Sequence, residues 1–342
     1  MEWAAHFQAI NYSRLPMIST ELESVVAGEE ALAAPSPAIH TQDLSKRYGS
    51  TVALSGLTMT VRRGEIFGFL GPNGAGKTTA VKLLVGLIHP TGGQGWVLGA
   101  PLGDRETRRH IGYLPELFRY QDWLTGREVL DLHCELAGIP RSDRTDEIDA
   151  ALAIVGLERR GNDRVGTYSK GMQQRLGLGT ALLGRPELIF LDEPTSALDP
   201  VGRHDVREII RGLKDRGSTV FLNSHLLNEV EQVCDRVAVI NRGGVLALGT
   251  LDEIRGGDTV VRLRLESVGP DGAEILRGYG ARRDEGRYII PGLCDDAIPR
   301  LVARLVEAGV AVHAVEPAHR TLEDEFLHLL GGSDADPDHT ST

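Results

Sequence analysis

An α/β fold built on a mainly parallel sheet, carrying a helical insert and followed by a small α+β unit, is what the sequence predicts. Three observations lead there. From Ile39 onward, short β-rich runs alternate with helical stretches, the pattern of a parallel sheet with helices on both faces. A glycine-rich run from Gly71 to Thr79 sits between a strand and a helix. Near Gly256-Gly257 the alternation gives way to a shorter series of strand, helix and strand.

Residues 1–37 hold five Glu and one Arg and end in Ala-Pro-Ser-Pro. They read as a flexible, solvated extension with one short helix after Thr20, and Met17 is a second candidate start. The larger domain, 38–257, has strands at Leu57–Val61 and Glu65–Leu70, then a helix carrying Ala80, Val81, Leu83, Leu84 and Leu87. Another strand, Ile111–Leu114, precedes a helical insert at about 117–181, where apolar residues fall three and four apart around Val129, Leu132, Leu136, Leu152 and Val155. A strand at Leu188–Leu191, a helix at Val201–Lys214 and strands at Thr219–Asn223 and Val237–Ile240 complete this domain. The α+β unit, 258–331, has a strand through Val260, Leu263 and Leu265, a helix at Ala297–Ala308, a strand at Val310–Val315 and a closing helix at Leu322–Leu330. Residues 332–342 form an acidic tail.

Composition excludes several function classes. With 48 acids against 37 bases the formal charge is -11, which repels nucleic-acid backbones. Cys134, Cys234 and Cys294 are widely spaced with no C-x-x-C pair, so they read as core thiols rather than metal or redox ligands. No run approaches the ~18 consecutive apolar residues of a membrane span, and the N-terminus lacks a basic stretch followed by an apolar one. A membrane role must come through partners.

Two signals carry chemistry. Gly71-Pro72-Asn73-Gly74-Ala75-Gly76-Lys77-Thr78-Thr79 matches G-x-x-x-x-G-K-[ST]. Its glycines let backbone N–H groups turn around phosphate oxygens while the following helix aims its positive end at them. Lys77 would neutralise the β- and γ-phosphates of ATP, and Thr78 would hold Mg²⁺. The second signal is the apolar strand Leu188-Ile189-Phe190-Leu191 ending in Asp192-Glu193. In a parallel sheet its carboxyl end lies beside the phosphate loop, where Asp192 reaches Mg²⁺ and Glu193 orients and deprotonates the attacking water. Such a pair alone is more often a solvated strand end; the phosphate loop reverses that reading.

With these residues in place, the chain resembles the ATP-binding subunit of ABC transporters over about residues 39–255, because further family motifs follow in order. Tyr168-Ser169-Lys170-Gly171-Met172-Gln173-Gln174-Arg175 looks like the L-S-G-G-Q signature, Ser196-Ala197-Leu198-Asp199 like the D-loop, and His225 like the switch histidine. The resemblance implies a P-loop cassette that hydrolyses ATP with Mg²⁺, with Tyr48 stacked on adenine and His225 near the γ-phosphate. It implies that Ser169 and Gly171 serve the ATP of a partner cassette, in a homodimer or heterodimer beneath separately encoded permease subunits. Its place is then cytoplasmic, peripheral on the inner face of the cell membrane through the permease. Two departures stand out. Glu116 occupies the loop position where the family usually has Gln, and as a carboxylate it can ligate Mg²⁺ but cannot donate a hydrogen bond. Lys170 and Met172 vary the signature in a way that looks like the exporter-type branch.

Leu117, Phe118, Tyr120 and Trp123 open the insert. In the family this region is a groove for a helix of the membrane subunit, and insert core is the competing reading. Residues 258–331 resemble the accessory domain of exporter-type ATPases and show no catalytic constellation; His313 and His319 read as surface. A soluble ABC-type ATPase acting on ribosomes or DNA is the alternative. One cassette, no heptad run and a negative charge weigh against it. An ATP-binding regulator without turnover is disfavoured by the presence of Lys77 and Glu193.

Overall fold

The computed structural model describes residues 36–196, 198–255, 259–284, 286–293, 295–319 and 322–332. The expected extension up to residue 35, Ala197 of the D-loop, the Gly256-Gly257 boundary, Cys294 and the acidic tail from residue 333 lie outside them.

The chain begins with an antiparallel hairpin, β1 (Ile39–Tyr48) and β2 (Thr51–Val61), and continues through β3 (Ile66–Leu70) into α1 (Lys77–Leu84). Strands β4 (Gly92–Val97) and β5 (Ala100–Pro101) join the hairpin in a sheet of order β2-β1-β4-β5. This second sheet is a departure from the expected single one. Alternation is clear only from Leu57 to Val61 of β2, where Leu57, Met59 and Val61 are inside and Thr58 is exposed, the mark of a sheet wetted on one face.

The main sheet adds β6 (Ile111–Leu114). The insert follows as α2 (Gly126–Leu136), α3 (Arg144–Ile154) and α4 (Lys170–Ala181), and the chain returns through β7 (Leu188–Asp192). Helix α5 (Pro200–Asp215), β8 (Thr219–Ser224), α6 (Leu227–Val233), β9 (Arg236–Asn241), β10 (Gly244–Thr250) and the short α7 (Leu251–Ile254) complete the cassette. Strand order is β10-β9-β3-β8-β7-β6, parallel except for the edge pair β9 and β10. Every residue of β3, β7 and β8 is buried, as central strands covered on both faces must be. Phe221 packs centrally, its ring centroid 5.2 Å from Phe69 and 5.3 Å from Phe190. Each such burial contributes about 1.5–3 kcal/mol, which fixes the strand ends that carry the polar residues.

The first helix of the insert begins at Gly126. Thr125 Oγ1 accepts from Glu128 N at 3.2 Å and Thr125 N donates to Glu128 Oε2 at 2.7 Å, a reciprocal cap that sets the start of α2. It also sets which face goes inward: Val129, Leu130 and Cys134 are buried, whereas Leu132 and Leu136, expected in the apolar stripe, are exposed. The aromatic run divides. Phe118 and Tyr120 pack on the cassette core, and Leu117 and Trp123 are 87% and 70% exposed.

Beyond α7 come β11 (Thr259–Glu266), α8 (Pro270–Gly278), β12 (Arg282–Asp284), β13 (Arg287–Pro291), α9 (Ile298–Glu307) and β14 (Ala311–His319). They form an antiparallel sheet of order β12-β13-β11-β14 with its own core of Val261, Leu263, Leu276, Ile290, Leu301 and Leu305. The last helix, α10 (Leu322–Gly332), expected to close this unit, instead packs on the cassette. Leu322 is fully buried in the cassette core, with Phe326 and Leu329 against it, and Leu322 N donates to Glu231 Oε1 of α6 at 2.5 Å. A carboxylate there satisfies an N–H that the helix itself leaves open.

Candidate functional site

The phosphate loop runs from the end of β3 to the start of α1. Gly76 has φ 102°, and a Cβ there would lie 2.3 Å from Ala53 O, so only glycine fits. Gly243 N donates to Ala75 O at 2.9 Å and ties the loop to the turn after β9. Lys77 is the first residue of α1 and is buried, with Nζ donating to Gly71 O at 2.7 Å and Pro72 O at 3.2 Å. Pro72, Asn73 and Gly74 form the rim, and Thr78 and Thr79 occupy the first turn of α1 at intermediate burial.

Burial pushes the Lys77 pKa down, and three carboxylates, Glu193, Asp192 and Glu116, oppose that shift. They face the loop from three places. Asp192 ends β7, two strands from β3, and burial raises its pKa first, with Glu116 and Glu193 adding to it. Asn223 on the intervening β8 works the other way, its Nδ2 donating to Asp192 Oδ1 at 2.5 Å. Glu116 follows β6 and is exposed at the rim. Tyr113 on β6 is pushed up to about 12 by burial and then by Asp192 and Glu116, so its hydroxyl keeps its proton.

Glu193 stands where the strand breaks. Its φ of 53° is left-handed, while its N–H continues the ladder to Asn223 O at 2.9 Å. A non-glycine residue held so costs about 1–3 kcal/mol. The turn aims the side chain at β8: Glu193 Oε1 lies 2.8 Å from His225 Nδ1. Glu193 Oε2 is buried and has no hydrogen-bond partner. A buried acceptor left open costs about 1–3 kcal/mol.

The remaining sequence-named residues sit apart from this cluster. Tyr48 ends β1 half exposed, with Lys46 Nζ 5.1 Å from its ring centre. Its hairpin partner strand carries the Ala53 carbonyl that abuts Gly76. Ser169 is exposed and caps α4, its Oγ accepting from Met172 N at 3.2 Å. Gly171 lies beside Leu198, and Asp199 Oδ1 caps α5 by accepting from Gly202 N at 2.7 Å. Among the described residues no hydrogen bond or ion pair joins Ser169, Gly171 or Asp199 to Gly71–Thr79. Sequence reasoning did not single out Asn223; its signal is an amide on the buried end of an apolar strand.

A phosphate loop between a central strand and a helix, with two acids and a histidine on neighbouring strand ends, defines a P-loop nucleoside triphosphatase. Residues 54–196 match the family profile described as ABC transporter. An uncharacterized ABC transporter ATP-binding protein of Nostoc sp. is 47% identical over 309 residues, covering 86% of this chain and 90% of that one. The Nod factor export ATP-binding protein I of Burkholderia thailandensis is 36% identical, covering 86% and 97%. The ATP-binding cassette MJ0796, solved as a dimer in a post-hydrolysis state with ADP and phosphate, superposes with a TM-score of 0.57 at 25% identity, covering 62% of this chain and 98% of that one. The chain belongs to the ABC transporter ATP-binding family. It is the ATP-binding subunit of such a transporter, an ATP hydrolase with exporter-type relatives, and not a ribosome- or DNA-acting machine.

Proposed function

We propose that this subunit powers export, working as one of two cassettes, in a homodimer or heterodimer, on the inner face of the cell membrane beneath permease subunits encoded separately. The observation that carries its chemistry is the Glu193–His225 contact at 2.8 Å with the second Glu193 oxygen left open. In this reading Glu193 Oε2 takes a proton from the water that attacks the γ-phosphorus, and ADP leaves as the bond to its β-phosphate oxygen breaks. His225 holds the other oxygen and keeps the carboxylate turned toward the loop. Lys77 exchanges its two loop carbonyls for phosphate oxygens, joined by N–H groups of Gly71–Thr79, and Tyr48 offers an open ring to adenine. Ser169, Gly171 and Asp199 are turned to the partner cassette.

The donor set suits Mg²⁺: a Thr78 hydroxyl, the Asp192 carboxylate and Glu116 at the rim are hard oxygens. Among the described residues no three His, Cys, Asp or Glu side chains gather into a cage. That fits an ion that takes one or two carboxylates and shares phosphate oxygens and water. Bound there, Mg²⁺ would neutralise charge on the β- and γ-phosphates. If Glu116 contributes an oxygen, Glu116→Gln should keep the Mg²⁺ dependence of ATPase activity and Glu116→Ala should shift it to higher Mg²⁺. Identical Mg²⁺ titrations for all three proteins would remove Glu116 from the ligand set.

Among the described residues no helix is long and apolar enough to cross a membrane. Exposed Leu117 and Trp123 suit a docking place for a permease helix. Export is supported by the Nod factor relative and by Lys170 and Met172 in the signature. In inside-out vesicles carrying the whole complex, ATP supplied outside should concentrate the transported compound in the lumen. ATP-driven loss from preloaded vesicles would reverse the direction to import.

A further inference from the structure

Glu229 is a buried carboxylate that the reaction does not touch. Both its oxygens accept from Arg207 Nη1, at 2.9 and 2.8 Å, and Arg207 Nε is buried without a partner. Two charges withdrawn from water stabilise a fold poorly unless every donor is satisfied, and here one is not. The location of the pair offers a better reason. Arg207 lies on α5, and Glu229 lies on α6, which begins at Leu227 just after His225. One more contact stitches the same helices, Arg211 Nη2 donating to Gln232 O at 2.8 Å, and Lys214 Nζ of α5 meets Asp235 Oδ1, two residues past α6, at 2.6 Å.

Helix α6 is also held from other sides. Against β3, a Cβ on Gly68 would lie 2.8 Å from Val230 Cγ1, so the glycine admits the helix at close range. Glu231 accepts from the first N–H of α10 at 2.5 Å and pairs with Arg255 at 3.3 Å. The segment that carries His225 is therefore anchored by β8 at one end and by a clamped α6 at the other.

We propose that the Arg207–Glu229 pair is a positioning contact for ATP hydrolysis: it fixes α6 against α5 and thereby holds His225 Nδ1 on Glu193. The inference rests on the proposed role of His225. Arg207→Met in the full chain should lower kcat about fivefold while leaving the Kd for ATP within about twofold, since among the described residues no hydrogen bond or ion pair joins Arg207 to Gly71–Thr79. In a His225→Ala background the same substitution should cost nothing further, because the group it positions is gone. A wild-type kcat for Arg207→Met, or an undiminished loss in the His225→Ala background, would overturn the inference alone. His225→Ala turning over at the wild-type rate would overturn the premise as well. Because Arg207→Met strands Glu229, a second variant, Arg207→Met with Glu229→Met, replaces the pair by apolar groups that fit the site. Retained thermal stability with a lowered kcat in that variant supports positioning; a wild-type kcat overturns it.

Discussion

Glu193→Gln should bind ATP as well as wild type and turn it over roughly 10²–10³-fold more slowly, the usual worth of a positioned base. The amide keeps the size and the left-handed turn of Glu193, and it can still meet His225 Nδ1 with its carbonyl oxygen. What it loses is the carboxylate oxygen proposed to accept the proton, Oε2, which among the described residues is the one buried carboxylate oxygen without a hydrogen-bond partner. Because Glu193 lies off Gly71–Thr79, the loop proposed to bind phosphate, ATP affinity measured by titration should hardly move, so the lesion should fall on kcat. Turnover close to wild type would transfer the base role to another group.

A mixed dimer of Lys77→Ala and Ser169→Arg subunits should recover roughly half of wild-type ATPase activity, whereas each mutant homodimer should be close to inactive. The expectation follows from what each cassette lacks. Lys77 belongs to the loop, while Ser169 and Asp199 are exposed and Gly171 lies beside them, and among the described residues no hydrogen bond or ion pair joins these three to that loop. In the proposed two-fold pairing each signature would sit on the opposite loop, so both lesions would fall in one composite site and leave the other intact. Ser169→Arg also removes the cap on α4, at about 1 kcal/mol, so thermal unfolding of that homodimer separates lost fold from lost function. A heterodimer that assembles and stays as inactive as its parents would point to independent sites or to strict two-site coupling.

The residues proposed to carry the chemistry are legible in the sequence because their constraints are local. Gly76 must tolerate a left-handed backbone against Ala53, Lys77 must open a helix, and Asp192 must end a run of buried strand residues. Less is legible where the decision is tertiary. Leu132 and Leu136 fit a three-four spacing as well as Leu130 and Cys134 do, and only the Thr125 cap and the neighbouring helices choose between them. The hairpin sheet is hard to see because β1 shifts register against β2 at Thr41/Leu44, Leu44/Lys46 and Lys46/Arg47, which breaks the alternation that marks a strand. The amide of Asn223 and the pair Arg207–Glu229 are long-range partnerships, and single-chain periodicity holds no trace of them.

The docking of α10 on α6 makes the ATPase body discontinuous in sequence. The chain leaves it after α7, builds the antiparallel unit, and comes back to bury Leu322. That unit is thus a closed excursion secured at both ends rather than a pendant. A stop codon placed near residue 257 would strip a side chain from the ATPase core and leave Glu231 facing solvent. Excising β11 to β14 and bridging the gap with a flexible linker would keep the core whole, so the two kinds of shortened protein report on different things.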